Sequence, residues 1–221
     1  MRTSTIYKTA VLASVILAFA LAGAGCGDPA DGRRTAEDTR AENRAAAEPA
    51  ATDAPPEAAG SRVDAGALGS KAARELCYET DTGDFPVLRS QTFALEFEPF
   101  KGTCFVTVHN PEYDDPPMES EFAIYRGNKR IYEFPEPFNG VTAGCWVEAV
   151  AFQDLNGDGL IDIIVVGKCP AKTAPYQENM VYANTGKGFS TNLDANYRLS
   201  EMKTVRAVAD HVRDNQIAFF K

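Results

Sequence analysis

The sequence has little of what most catalytic or nucleic-acid-binding chains rely on. It holds two histidines, His109 and His211, and neither lies near a GxSxG or HExxH pattern, so those hydrolase chemistries have no carrier. None of its five cysteines sits in a CxxC pair, and with so few histidines to join them a thiolate zinc site is not expected. Basic residues are outnumbered, 22 Lys and Arg against 31 Asp and Glu, and the resulting net charge of −9 argues against nucleic acid as a partner. From Gly27 to about Ser70 almost no large apolar side chain occurs. A stretch such as "AEDTRAENRAAAEPAATDAPPEAAG" cannot offset its ordering entropy, and residues 26–70 are expected to be a flexible tether.

What precedes the tether is informative. Met1 to Lys8 carries Arg2 and Lys8 and no acid, Thr9 to Gly25 is uncharged around "AVLASVILAFALA", and "GAG" leads into Cys26. This is the layout of a secretory signal peptide; the alternative is a short uncleaved membrane anchor, against which stands an apolar core shorter than the roughly 20 residues of a spanning helix. The cysteine after small residues makes residues 1–25 resemble a bacterial lipoprotein signal, although Gly23 stands where that family usually has a larger aliphatic residue. The resemblance implies lipidation of Cys26 and attachment to a membrane through that lipid. Gly27 rather than Asp follows the cysteine, which favours the outer membrane over the inner.

Residues 71–221 are the expected globular domain. They hold 22 acids and 15 Lys and Arg, a net charge of −7 that serves solubility. Strand signals occur at "TFALEF" (92–97), "CFVTVH" (104–109), "EFAIYR" (121–126), "KRIYEF" (129–134), "WVEAVAF" (146–152), "LIDIIVV" (160–166) and "NMVYAN" (179–184). Gly127-Asn128 suits a tight hairpin that would set Ile124 opposite Ile131. "LIDIIVV", apolar on both faces apart from Asp162, suits a central strand. Ser200 is the expected cap of a helix over 201–213 whose Met202, Val205, Val208 and Val212 make one apolar stripe. "QIAFF" fits either a last strand or a helical continuation. The fold class is therefore mainly β with one C-terminal helix (α+β). Cys77, Cys104, Cys145 and Cys169, an even number in an exported domain, suggest two disulfides.

One segment carries a recognisable chemistry. In "DLNGDGLID" side-chain oxygens fall at Asp154, Asn156, Asp158 and Asp162, with the Leu160 carbonyl between the last two. Oxygen ligands in a sharp glycine turn suit Ca²⁺. A helix-loop-helix calcium site would need a bidentate Glu where Val165 stands. With its flanking strands, "VAFQDLNGDGLIDIIVVG" instead resembles an FG-GAP repeat, the calcium-loop unit of integrin-type β-propellers and their bacterial VCBS-type relatives, and "YANTGKGF" is similar to that unit's later hairpin. Over about residues 145–190 the resemblance implies Asp154, Asn156, Asp158 and Asp162 as side-chain ligands and Leu160 as a carbonyl ligand. The competing reading is a set of Asx-turns in an empty hairpin, against which stands the mutual repulsion of three carboxylates. Only one copy of the loop occurs, so a full propeller is not expected. A single blade-like antiparallel sheet, extended by the strands at 92–109 and covered by the C-terminal helix, is.

If the hairpin around the loop is symmetric about Gly157, Cys145 and Cys169, each twelve residues away, face each other and leave Cys77 for Cys104. The two other connectivities stay open. The acidic run "NPEYDDPPMESE" (110–121) is expected to be a solvated loop, with a second cation site or a contact for a basic partner as alternatives. Together these features suggest a calcium-binding lipoprotein of the cell envelope, acting as a binding or scaffold module. Its partner, an envelope protein or a glycan, is specified by no motif. The alternative is an envelope hydrolase with a calcium-assisted site, for which Glu148 and Asp162 are the acid–base pair at hand. Nothing beyond their presence supports catalysis.

Overall fold

The first four strands form one antiparallel sheet in sequence order: β1 (Phe93–Leu95), β2 (Thr103–Val108), β3 (Glu121–Arg126) and β4 (Lys129–Glu133). The computed structural model describes residues 66–220 apart from Ala143. The expected signal segment, the lipidated Cys26 and nearly all of the expected tether lie outside the described residues. The remaining strands build a second antiparallel sheet: β5 (Trp146–Gln153), β6 (Asp162–Cys169), β7 (Tyr176–Gln177), β8 (Met180–Asn184) and β9 (Phe189–Ser190). Its order is β5-β6-β8-β9, with β7 paired to β6.

Two sheets, rather than the expected single one, follow from where the large side chains point. On β2 and β3 alternate residues Phe105, Phe122 and Ile124 turn to one face, and they share a core with Val150, Phe152, Ile163, Val165, Met180 and Tyr182 of the second sheet. Adding β1–β4 to the edge of the second sheet would leave these rings in water. Stacked face to face they meet across the interface. Phe105 lies 5.7 Å from Phe152, Phe93 5.3 Å from Phe152, and Phe134, just past β4, 4.8 Å from Tyr182. Such pairs contribute roughly 0.5–1.5 kcal/mol each beyond their burial.

The seven strand signals all become strands, each within three residues of its expected ends. The β3–β4 hairpin differs in register. Arg126 pairs with Lys129 and Tyr125 with Arg130, but a bulge then sets Ile124 opposite Tyr132 instead of Ile131. The extra residue turns Ile131 outward, 37% exposed, and brings Tyr132 onto the aromatic core.

Helices are short. α1 (Lys71–Cys77) is capped by Ser70, whose hydroxyl accepts from the Ala73 amide, and a Cys77–Cys104 disulfide ties it to β2. α2 (Leu193–Asn196) precedes α3 (Val205–Asp214), and the "QIAFF" segment forms a single turn, α4 (Gln216–Phe219). The cap of α3 is Thr204 and not Ser200, because Thr204 takes the extended conformation and its hydroxyl accepts from the Ala207 amide. Val205, Val208, Ala209 and Val212 then pack on Ile164, Val166 and Val181, the outer face of the second sheet. β6 is thus central and covered on both sides. No described helix is long and apolar enough to cross a membrane.

Candidate functional site

The loop between β5 and β6 closes through its own polar side chains. Gly157 and Gly159 have φ of +80° and +83°, values that L side chains adopt only under strain. Asp154 accepts hydrogen bonds from the Gly157 amide at 2.7 Å and the Gly159 amide at 2.9 Å. Asn156 Oδ1 accepts from the Asp158 amide and Asp158 Oδ1 from the Leu160 amide, two successive Asx-turns, while Asn156 Nδ2 donates to Asp158 Oδ2.

Asp162 sits beneath this turn and is 0% exposed. Its Oδ2 accepts from the Leu155 amide at 3.0 Å and its Oδ1 from the Asn184 amide at 2.9 Å. One side chain therefore joins the start of the loop to the end of β8. Asn184 extends the joint: its amide group donates to the Ile161 and Glu98 carbonyls, and its Oδ1 accepts from the Gly186 amide in the "NTGKG" turn. The two segments singled out in the sequence, 154–162 and 182–189, thus meet at a buried carboxylate. Burial pushes the Asp162 carboxyl up to about 7, against the pull of the Asn184 and Leu155 amides, and the charges of Asp158 and Asp154 raise it further. No lysine or arginine among the described residues pairs with it.

The donor set is all oxygen, the chemistry that hard cations take. A carboxylate offers about four lone-pair positions, so the amide bonds of Asp162 leave acceptor capacity on the same oxygens. The side chains are turned onto backbone amides, and among the described residues no three His, Cys, Asp or Glu are grouped as a metal would require.

At the other end of the hairpin Cys145 is bonded to Cys169, with Cα atoms 4.0 Å apart. The assumed symmetry about Gly157 does not extend to the loop, where Gln153 pairs with Asp162 and Ala149 with Val166. That register alone would carry Cys145 opposite Pro170. A bulge at Glu148 inserts one residue on β5, so that Trp146 pairs with Lys168 and the cysteines come together. The Glu148 carboxylate is then held by Lys168 Nζ at 2.8 Å. It lies about four residues of strand, roughly 13 Å, from Asp162, so the two carboxylates do not form an acid–base pair.

The acidic run 110–121 is an exposed loop with local partners. Asn110 Nδ2 donates to Glu119 and Arg130 approaches Glu121 at 3.8 Å. His109 Nδ1 faces the Asn110 and Tyr113 carbonyls, which fixes the proton on that nitrogen and gives the ring a structural task. Sequence reasoning passed over a groove of about 650 Å³ where the starts of β3 and β5 meet the chain after β4. Of its residues, Glu119 and Glu121 come from the acidic run and Glu133 from the "KRIYEF" strand, but Glu136 and Phe138 belong to no motif, and only the turn signal "NG" at 139–140 marks their segment.

Comparison with models of protein families, with curated proteins and with solved structures finds no match to this chain.

Proposed function

We propose that the chain is an exported, lipid-anchored, calcium-binding protein of the cell envelope that acts as a binding or scaffold module. The observation that carries the calcium reading is Asp162: a fully buried carboxylate, paired with no lysine or arginine among the described residues, beneath two further carboxylates. A divalent cation offsets such an arrangement where hydrogen bonds alone leave the charges repelling. Asp154, Asn156, Asp158 and Asp162 would hold the ion through side-chain oxygens and Leu160 through its carbonyl. When bound, the ion supplies charge compensation and fixes the turn. The residues of the chain do the remaining work, with Asn184 tying the loop to β8 and the Cys145–Cys169 bond closing the far end of the hairpin.

The kinship with FG-GAP and VCBS-type units is part of this reading. Its support is that β5-β6-β8-β9 is a four-strand antiparallel path with the acidic loop between its first two strands, the make-up of one propeller blade. Export is supported by the two disulfides, which persist in oxidising compartments. The lipid anchor rests on the Cys26 sequence pattern alone, and the partner, an envelope protein or a glycan, rests on the class of module.

Equilibrium dialysis against radioactive calcium tests the reading. One site per chain with Kd on the order of 0.1–1 mM is expected, the weak end typical of extracellular modules, and Asp158→Ala should abolish it. Equal calcium uptake by wild type and variant would remove the loop from the proposal.

A further inference from the structure

The groove at the β3–β4 side of the molecule combines two chemistries. Its floor is aromatic: Phe122, Phe134 and Phe138 are buried beneath it. Its rim carries four carboxylates, Glu119, Glu121, Glu133 and Glu136, and one guanidinium, Arg130, which leaves three negative charges uncompensated. Arg130 is already engaged, with Glu133 at 3.3 Å, Glu121 at 3.8 Å and the Tyr125 hydroxyl at 3.1 Å. Among the described residues none forms an ion pair with Glu136.

The wall of the groove is pre-formed. Among the described residues four that are not glycine have positive φ: Glu119, Glu136, Phe138 and Asn139, and the first three line the groove. Each such conformation is strained for an L residue and persists only where the surroundings enforce it. Here the enforcement is visible. The Phe138 amide donates to Met180 Sδ, the Asn139 side chain donates to Glu178 and to the Asn179 carbonyl, and Asn196 donates back to Asn139 at 2.8 Å. A ligand meeting this wall has little left to order.

We infer that the groove binds a small organic cation, an amine or guanidine carried on an apolar body. An anion is repelled, and a neutral apolar ligand would strip water from carboxylates without replacing it. A bare metal ion is unsuited as well, because no three of these carboxylates are grouped as a metal requires and aromatic rings offer it no ligand. The volume lies within the range of small-molecule sites, and the apolar part of the lining suits the body that carries the charge. Arg130, held between two glutamates and hydrogen-bonded to the Tyr125 hydroxyl, shows the rim taking up a cation with the protein's own side chain. The inference deepens the reading of the domain as a binding module, and it depends on neither calcium nor the lipid.

Calorimetric titration of the full chain in a non-ionic detergent, in chelator, provides the test. Phenethylamine and agmatine are the cationic probes, with phenethyl alcohol and phenylacetate as neutral and anionic counterparts. The cations should bind at least about tenfold more tightly than either counterpart, and Glu133→Gln with Glu136→Gln should weaken them by about tenfold. Removing the same two charges outside the groove, by Glu112→Gln with Asp114→Asn, should change affinity by less than about twofold. Equal binding of amine and alcohol, equal losses in both double variants, or no heat from either cation would each overturn the inference. A parallel calcium titration keeps the outcomes separate: calcium uptake with no amine binding removes the groove and leaves the proposed module standing.

Discussion

Replacing Asp162 by asparagine isolates the energetic consequence of burying a carboxylate beneath two others. Its folded-state pKa, about 7 against an ordinary 3.8, is raised chiefly by burial. A group whose value is raised on folding stabilises the native state fully below its unfolded pKa and loses that contribution as the pH climbs through the folded one. In metal-free solution stability should therefore fall between about pH 4 and pH 8. A gap of roughly three units corresponds to about 4 kcal/mol, or on the order of 10 °C in Tm for a domain of this size. The side chain is fully buried, so solvent screening does not reduce this figure much. Other groups titrate in the same range, which is why the variant is needed: asparagine stays neutral and nearly preserves the shape. Its NH₂ confronts one of the amides of Leu155 and Asn184, whereas a protonated carboxyl keeps acceptor capacity on its hydroxyl oxygen, so the variant should be the less stable of the two at pH 5 and the comparison is of how much each loses as the pH rises. Circular dichroism melts at pH 5 and 8.5 in chelator should show wild type losing about 10 °C more than Asp162→Asn. Calcium at about 2 mM and pH 8.5 should recover part of the loss in wild type, about 0.7–1.8 kcal/mol for a Kd of 0.1–1 mM, and little in the variant. Identical pH profiles for both proteins in chelator would refute the reasoning.

Three further outcomes are expected. Removing the Cys145–Cys169 bond by a double alanine substitution should lower stability by about 3.5 kcal/mol, given the 24-residue separation; a loss under about 1 kcal/mol in urea unfolding would mean that the bulged hairpin keeps its end closed unaided. Gly167→Ala should destabilise by about 1–3 kcal/mol, because a Cβ there meets the Glu178 carbonyl at 2.6 Å and the Phe138 ring at 2.8 Å; an unchanged melt would show that the 136–141 segment yields. Cys26→Ser should move the protein from the detergent to the aqueous phase in phase separation, since acylation is lost. A variant that stays membrane-bound with its signal segment intact by mass spectrometry would instead support an uncleaved anchor.

The strands were legible because alternation is a local property: "CFVTVH" and "EFAIYR" state in six residues which face is apolar. How the strands group is not local. Whether Phe105 covers Phe152 from an opposite sheet or lies beside it in the same one depends on contacts 47 residues apart. Both bulges escaped for a related reason, as nothing in Glu148 or Ile131 marks it as the extra residue; the disulfide and the turn on either side decide. The expected Cys145–Cys169 pairing and the observed bond agree although the assumed symmetry fails near the loop, because the bulge restores the register beyond it. The acidic loop was legible as a motif, since its glycines and carboxylates are consecutive. Its buried joint to Asn184 was hinted at only by resemblance, and the left-handed Glu136 and Phe138 carry no sequence signal, Asn139 only the turn pair it makes with Gly140. Asn139 is held by Asn196, 57 residues away, and Phe138 by Met180, 42 residues away.

β6 belongs to two cores at once. Ile163 and Val165 pack between the sheets, while Ile164 and Val166 pack under α3. A strand shared in this way leaves neither core free to come apart alone, because exposing one face withdraws the backbone on which the other is built. The described residues should therefore melt as one cooperative unit, with the amides of β6 among the slowest to exchange with solvent. Asp162 is the first residue of that strand, so whatever settles in the loop above it pulls on the stability of the whole domain rather than on a surface turn.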